Sequence, residues 1–203
     1  MTLLLNSIDH QPFDYQFIKG MLKDYRYPRN KISKMLKSGE IIALKSGLYI
    51  LSDAFQKPLI METAANLLYG PSYVSLDYAL AYYNLIPEIA YNISSVTTGR
   101  RKIYHTPAGT FIYHHLKFDY YNQGYKLYHS DGINYLIATP EKALCDKLYL
   151  SPRMQDTDSL EEFLDKNLRF DLTALKTFDA KLINDLSCAA GNYNLDLLTR
   201  LVV

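Results

Sequence analysis

Residues 27–51, YPRNKISKMLKSGEIIALKSGLYIL, use the tripeptide Lys-Ser-Gly twice, at 37–39 and at 45–47, in two different settings. Before the first copy, Ile32, Met35 and Leu36 recur at i, i+3, i+4, the core stripe of an amphipathic helix, and Pro28 suits its first turn. After it the period changes: EIIALKSGLYIL sets short β-favouring runs on either side of the second copy. Gly39 is therefore expected as the left-handed residue just past a helix end, and Gly47 as the turn residue of a hairpin. The echo is not a structural repeat.

Working outward, FDYQFIKGML places Phe13, Phe17, Ile18, Met21 and Leu22 on one helical stripe, and KDYRY supplies a turn. Helix, turn, helix and hairpin within about 40 residues is the layout of a winged helix-turn-helix, whose second helix enters the major groove. A purely structural small helical domain is the alternative.

Charge is distributed to match. Residues 15–50 hold eight bases (Lys19, Lys23, Arg26, Arg29, Lys31, Lys34, Lys37, Lys45) against two acids (Asp24, Glu40), a net of +6, so the rest of the chain carries −5. A local positive face attracts a polyanion whatever the global charge of +1. At 100° per residue, Asn30, Ser33, Lys34 and Lys37 lie opposite the apolar stripe, with Arg29 and Lys31 at the edges, side chains suited to phosphates and base edges. A solvated helix face would look the same from charge alone.

The whole chain of 203 residues, 48% apolar, supports an ordinary core. No apolar run is long enough for a membrane span, MTLLLNSIDHQPFD does not read as a signal peptide, and a cytoplasmic protein is expected. Cys145, inside EKALCDKLYL, is expected to be a buried thiol; with Cys188 the only other cysteine, neither disulfide nor metal site is expected. After a linker at SDAFQKP, Pro58 is expected to open a helix that Gly70 and Pro71 close. Ser75 is expected to cap LDYALAYYN. NISSVTT, TFIYHHL and the Asp-Gly hairpin YKLYHSDGINYLIA read as strands. TPEKALCDKLYL reads as a helix with Thr139 as N-cap and Pro140 at N1. From Ser151 onward the chain is helical and acidic, nine acids to six bases. The expected class is α+β: a winged helix-turn-helix over 1–56, then a mixed α+β domain over 57–203 with an antiparallel sheet (57–150) and a helical tail (151–203).

Motifs for catalysis are weak. His114 and His115 are neighbours on a strand and point to opposite faces; Glu141 and Asp146 are about 140° apart on a helix. HExxH, GxSxG, paired CxxC and a Gly-rich phosphate loop are missing from the sequence. A non-enzyme without cofactor is expected, with Glu141 and Asp146 in structural roles. Fourteen of 19 tyrosines fall between Tyr69 and Tyr149, and core packing is their default role, against a binding face.

In order along residues 15–150, the opening module, YVSLDYALAYYNLIPE, ISSVTTGRRKIYHTPAGTFIYHHL and YLIATPEKALCDKLYL resemble the AbiEi family, antitoxins of type IV abortive-infection toxin–antitoxin systems. The C-terminal tail matches only in helicity and acidity. The resemblance implies a DNA-binding autorepressor that recognises inverted repeats upstream of its own operon and neutralises a nucleotidyltransferase-like toxin. It implies a DNA-facing set of Arg29, Asn30, Lys31, Ser33, Lys34 and Lys37, with Arg26 in the preceding turn and Lys45 and Ser46 on the wing. Arg100, Arg101 and Lys102 are the candidate partner-binding loop. The alternative is a stand-alone winged-helix regulator whose second domain senses a ligand or protein partner.

Overall fold

Asp14 begins the first helix: its carboxylate accepts the Phe17 amide at 2.7 Å, satisfying one of the amides that a helix start leaves bare. The computed structural model describes residues 8, 12–52, 59–88, 91–130 and 133–202. β1 (Phe13–Asp14) runs straight into α1 (Tyr15–Met21). The expected stripe is thus shorter than its periodicity suggested. Phe13 belongs to a strand paired with Tyr49, Phe17 is 49% exposed, and Ile18 and Leu22 anchor the helix.

α2 (Pro28–Lys37) ends in paired bonds from Gly39 N to Leu36 O (3.3 Å) and from Glu40 N to Met35 O (3.0 Å), with Gly39 at φ +71°. Ile32 and Met35 are buried but Leu36 is 36% exposed. The buried arc centres between Ile32 and Met35, so Lys31 and Leu36 lie about 70° to either side of it and are each only partly covered. β2 (Ile41–Lys45) and β3 (Leu48–Leu51) form the expected hairpin, Gly47 at φ +82°, with β1 on the other side of β3.

This hairpin has two apolar faces. Ile41 and Tyr49 join Ile18, Leu22, Ile32 and Met35 in a small N-terminal core, whereas Leu44, Leu48 and Ile50 belong to the main core of the chain. Their burial stabilises the junction by about 1.5–3 kcal/mol per side chain. The chain cannot be divided near residue 56 without stripping that surface. The expected linker and Pro58 lie outside the described residues.

The main body has three layers around a six-stranded sheet in the order β6-β7-β5-β4-β9-β8. Its strands are β4 (Ser72–Val74), β5 (Ile93–Thr97), β6 (Lys102–Thr106), β7 (Gly109–His115), β8 (Tyr125–Ser130) and β9 (Ile133–Ala138). The sheet is mixed, which corrects the antiparallel expectation: β5–β7 and β4–β9 are parallel, while β6–β7, β4–β5 and β8–β9 are antiparallel. Turn residues reveal local hairpins; parallel neighbours come from longer crossovers that leave no local signature. The Asp-Gly turn itself is outside the described residues, but Ser130 pairs with Ile133 on either side of it.

α3 (Met61–Leu68) covers one sheet face, where the Tyr113 hydroxyl donates to Ala65 O at 2.6 Å. On the other face α4 (Leu76–Tyr82) and α6 (Pro140–Leu150) pack together. A short α5 (Phe118–Tyr121) precedes β8. The tail is α7 (Thr157–Glu162), which continues as a π-helical turn over Phe163–Asn167, a 3-10 turn over Leu172–Thr177, α8 (Ala180–Ala190) and α9 (Tyr193–Val202). α8 and α9 pack behind α6. Among the described residues no helix is long and apolar enough to cross a membrane.

Candidate nucleic-acid interface

The burial of Ile32 and Met35 fixes which way α2 faces, and it turns Arg29, Asn30, Ser33, Lys34 and Lys37 outward, all of them exposed. Lys31 is half-buried at the edge, and Arg26 is exposed in the turn ahead of the helix. None of the five cations Arg26, Arg29, Lys31, Lys34 and Lys37 is in an ion pair among the described residues. No carboxylate among the described residues neutralises them, which leaves their charge available to a polyanion. Arg29 is braced: its Nε donates to the Tyr15 hydroxyl at 3.2 Å, tying α2 to α1.

Two aromatics that periodicity did not single out flank this face. Tyr25 is 40% and Tyr27 60% exposed, and the Arg26 guanidinium lies 5.3 Å from the centre of the Tyr27 ring. An exposed tyrosine hydroxyl is a common donor to phosphate. The available signal was their placement in KDYRY, next to cations and off every apolar stripe.

The hairpin departs from its expected role. Lys45 does not project from a wing: its Nζ donates to Leu68 O at 2.7 Å and reaches Leu67 O at 3.4 Å. A bulge between Ala43 and Lys45 puts Leu44 into the main core, and the lysine then meets the last carbonyls of α3. Those groups have no partners within their helix, and a cation there is favoured by the helix dipole. Ser46 is exposed at the tip, but the neighbouring Gly47 carbonyl accepts the Tyr15 amide at 2.9 Å, fastening the tip to α1.

The loop of three cations is also divided. Lys102 lies over the Tyr69 and Tyr104 rings, 5.3 and 4.7 Å from their centres, on the α3 side of the sheet. Arg101 lines a cleft on the opposite side with His114, and Arg100 is exposed. The three do not form one patch.

The carboxylates weighed for catalysis are engaged elsewhere. Glu141 accepts the Asp179 amide at 3.3 Å, and Asp146 is fully buried in a network with Lys142, Ser75 and Tyr73. Ser75 precedes α4 but does not cap it, because its hydroxyl donates to Asp146 Oδ2 at 2.6 Å instead. Thr139 does cap α6, accepting the Lys142 amide at 3.3 Å. The Cys145 thiol is buried and burial pushes it up; Cys188 is exposed. Among the described residues no cluster of metal-binding side chains occurs. No family model matches the chain, and no curated protein matches it.

Proposed function

We propose that residues 13–51 act as a winged helix-turn-helix in which α2 reads double-stranded DNA, and that the chain represses transcription from the site it binds. The observation that carries this is the outward set Arg29, Asn30, Ser33, Lys34 and Lys37 on a helix anchored by Ile32 and Met35. Arg26, Tyr25 and Tyr27 extend the contact surface toward the preceding turn. Lys31 contributes from the edge, and Ser46 is the remaining candidate on the hairpin. The hairpin serves mainly to join the DNA-binding unit to the body, since Leu44, Leu48 and Ile50 are buried there.

On the resemblance to AbiEi antitoxins, the DNA is a pair of inverted repeats upstream of the chain's own operon, and residues 57–203 neutralise a nucleotidyltransferase-like toxin. A second reading, a stand-alone regulator whose body senses a small ligand, is favoured by the cleft beside Arg101 and His114.

Because the hairpin is shared between cores, the test is made in the full chain. Lys34→Glu reverses a charge on an exposed position and leaves both cores intact. Loss of binding to the upstream DNA with rescue against the adjacent gene product retained supports an antitoxin that represses separately. Loss of both confines the chain to regulation, and retained DNA binding removes the α2 face.

A further inference from the structure

At the end of the sheet where β7 finishes, a cleft of about 510 Å³ opens between β5, the loop before β6, α4 and α6. Its polar lining includes Arg101, His114, His115, Lys147, Asp77 and Ser94, with Ser151 at the end of α6, and Leu76 and Leu150 make its apolar walls. Counting His as neutral, the two cations and one carboxylate leave the cleft at +1.

The groups differ in how far they are already committed. Lys147 Nζ meets both oxygens of Asp77, at 2.7 and 2.8 Å. His115 Nδ1 lies 2.9 Å from the Gly99 carbonyl, which can only accept, so Nδ1 carries the proton and Nε2 is left facing away from that bond. Arg101 has no ion pair or hydrogen bond among the described residues, and the Ser94 hydroxyl has no hydrogen-bond partner among them. His114 is half-buried among these charges. Burial lowers its pKa, Arg101 and Lys147 lower it further, and Asp77 opposes them, so at neutral pH it is an uncharged ring with one N–H to donate.

Leu76 adds an independent sign. This leucine sits at φ +59° in the cleft wall, a left-handed conformation that costs a branched side chain about 1–2 kcal/mol. Such strain concentrates where a fold holds a binding surface in place.

We propose that this cleft binds a small phosphate monoester, with Arg101, Ser94 and His114 donating to the phosphate oxygens and Leu76 and Leu150 packing the organic portion. A guanidinium fork, a hydroxyl and an imidazole, with Lys147 able to share its charge, outnumber the two oxygens of a carboxylate and suit the three of a phosphate. The volume falls within the usual range of small-molecule sites. The ligand's charge reverses the field on His114, so binding draws a proton onto that ring and tightens as pH falls toward its ordinary value, until protonation of the ester itself, at about pH 6, removes ligand charge and ends the gain. Arg101 and Lys147 oppose that proton, and Asp77 and the ligand favour it. The ligand class does not depend on what α2 binds.

The test is calorimetric titration of the full chain with inorganic phosphate, adenosine 5′-monophosphate and acetate, repeated at two pH values either side of neutrality. We expect the monoester to bind about tenfold or more tightly than phosphate, and acetate more weakly than either. Arg101→Ala, at an exposed position, should weaken binding by about tenfold or more, Arg101→Lys should recover part of it, and Arg100→Ala should change nothing. His114→Gln should flatten the pH dependence. Absence of binding, binding indifferent to Arg101→Ala, acetate binding equal to phosphate, or no gain from the organic group would each overturn the proposal. Lys34→Glu should leave all these titrations unchanged, which separates this site from the DNA-binding face.

Discussion

Lys142 and Asp146 lie one turn apart on α6 with Nζ and Oδ1 3.1 Å apart and both side chains fully buried. The ammonium also donates to Tyr120 O at 2.8 Å, and the carboxylate accepts from Ser75 at 2.6 Å and Tyr73 at 3.1 Å. Burial lowers the Lys142 pKa and Asp146 partly restores it. Removing one partner leaves the other desolvated and uncompensated, at a cost of about 3–5 kcal/mol. Lys142→Met and Asp146→Asn should each destabilise on that scale, and the double variant by clearly less than their sum. Urea unfolding measures this, and additive losses would show the pair to be uncoupled.

Gly124 should be among the least replaceable glycines. It sits at φ +73°, and an added Cβ would come within 2.9 Å of Lys142 Cβ and 3.1 Å of its Cγ. The lysine stem cannot yield, because its far end is tied to Asp146 and Tyr120. Gly124→Ala should therefore cost about 2–4 kcal/mol, backbone strain plus overpacking. Gly39→Ala, at φ +71° with nothing within 4 Å, should cost only the backbone part, about 1 kcal/mol. Equal losses in thermal unfolding would contradict the steric argument.

These two glycines also show what was legible beforehand. Gly39 was readable because its cause is local: a helix stripe stops, the period changes, and the intervening residue must turn left-handed. The Thr139–Pro140 start of α6 was readable for the same reason. Gly124 was not, since its constraint is a lysine from a later helix. The same holds for Lys142, which looks like any helix-surface lysine until Tyr120 of α5 and the backbone at Gly124 close over it. Ser75 and Lys45 failed similarly, each choosing a tertiary partner over the local role its position suggested. The outward face of α2 was legible because two buried residues, Ile32 and Met35, orient a whole helix.

Lys45 offers a check on the division of labour within the hairpin. If its ammonium serves the α3 carboxyl end, Lys45→Met should lower stability by about 1 kcal/mol through the lost dipole and hydrogen-bond terms. The slope of log DNA affinity against log salt should stay the same. Lys37→Met should do the reverse, sparing stability and reducing that slope by about 0.9. A changed slope for Lys45→Met would return the residue to the DNA surface.

Alkaline pH should unfold the chain through its tyrosines. Burial pushes Tyr83 and Tyr121 up to about 12, and it raises Tyr73, Tyr113 and Tyr120 as well. A raised folded pKa means the folded chain keeps a proton that the unfolded chain releases. The stabilisation is complete below about pH 10, the ordinary tyrosine value, and is lost as pH climbs toward 12. Lys142 has the opposite sign: its lowered folded pKa makes stability rise with pH, but the raised tyrosines, to which Tyr78 and Tyr135 also belong, and the raised Cys145 thiol outnumber it. We expect the unfolding free energy to fall steeply above about pH 10 and the tyrosinate absorbance of the folded chain to lag behind that of the denatured chain. Parallel tyrosinate titrations in the two states would mean that the Tyr73 and Tyr121 rings are open to water, contrary to the 5.0 Å separation of their centres.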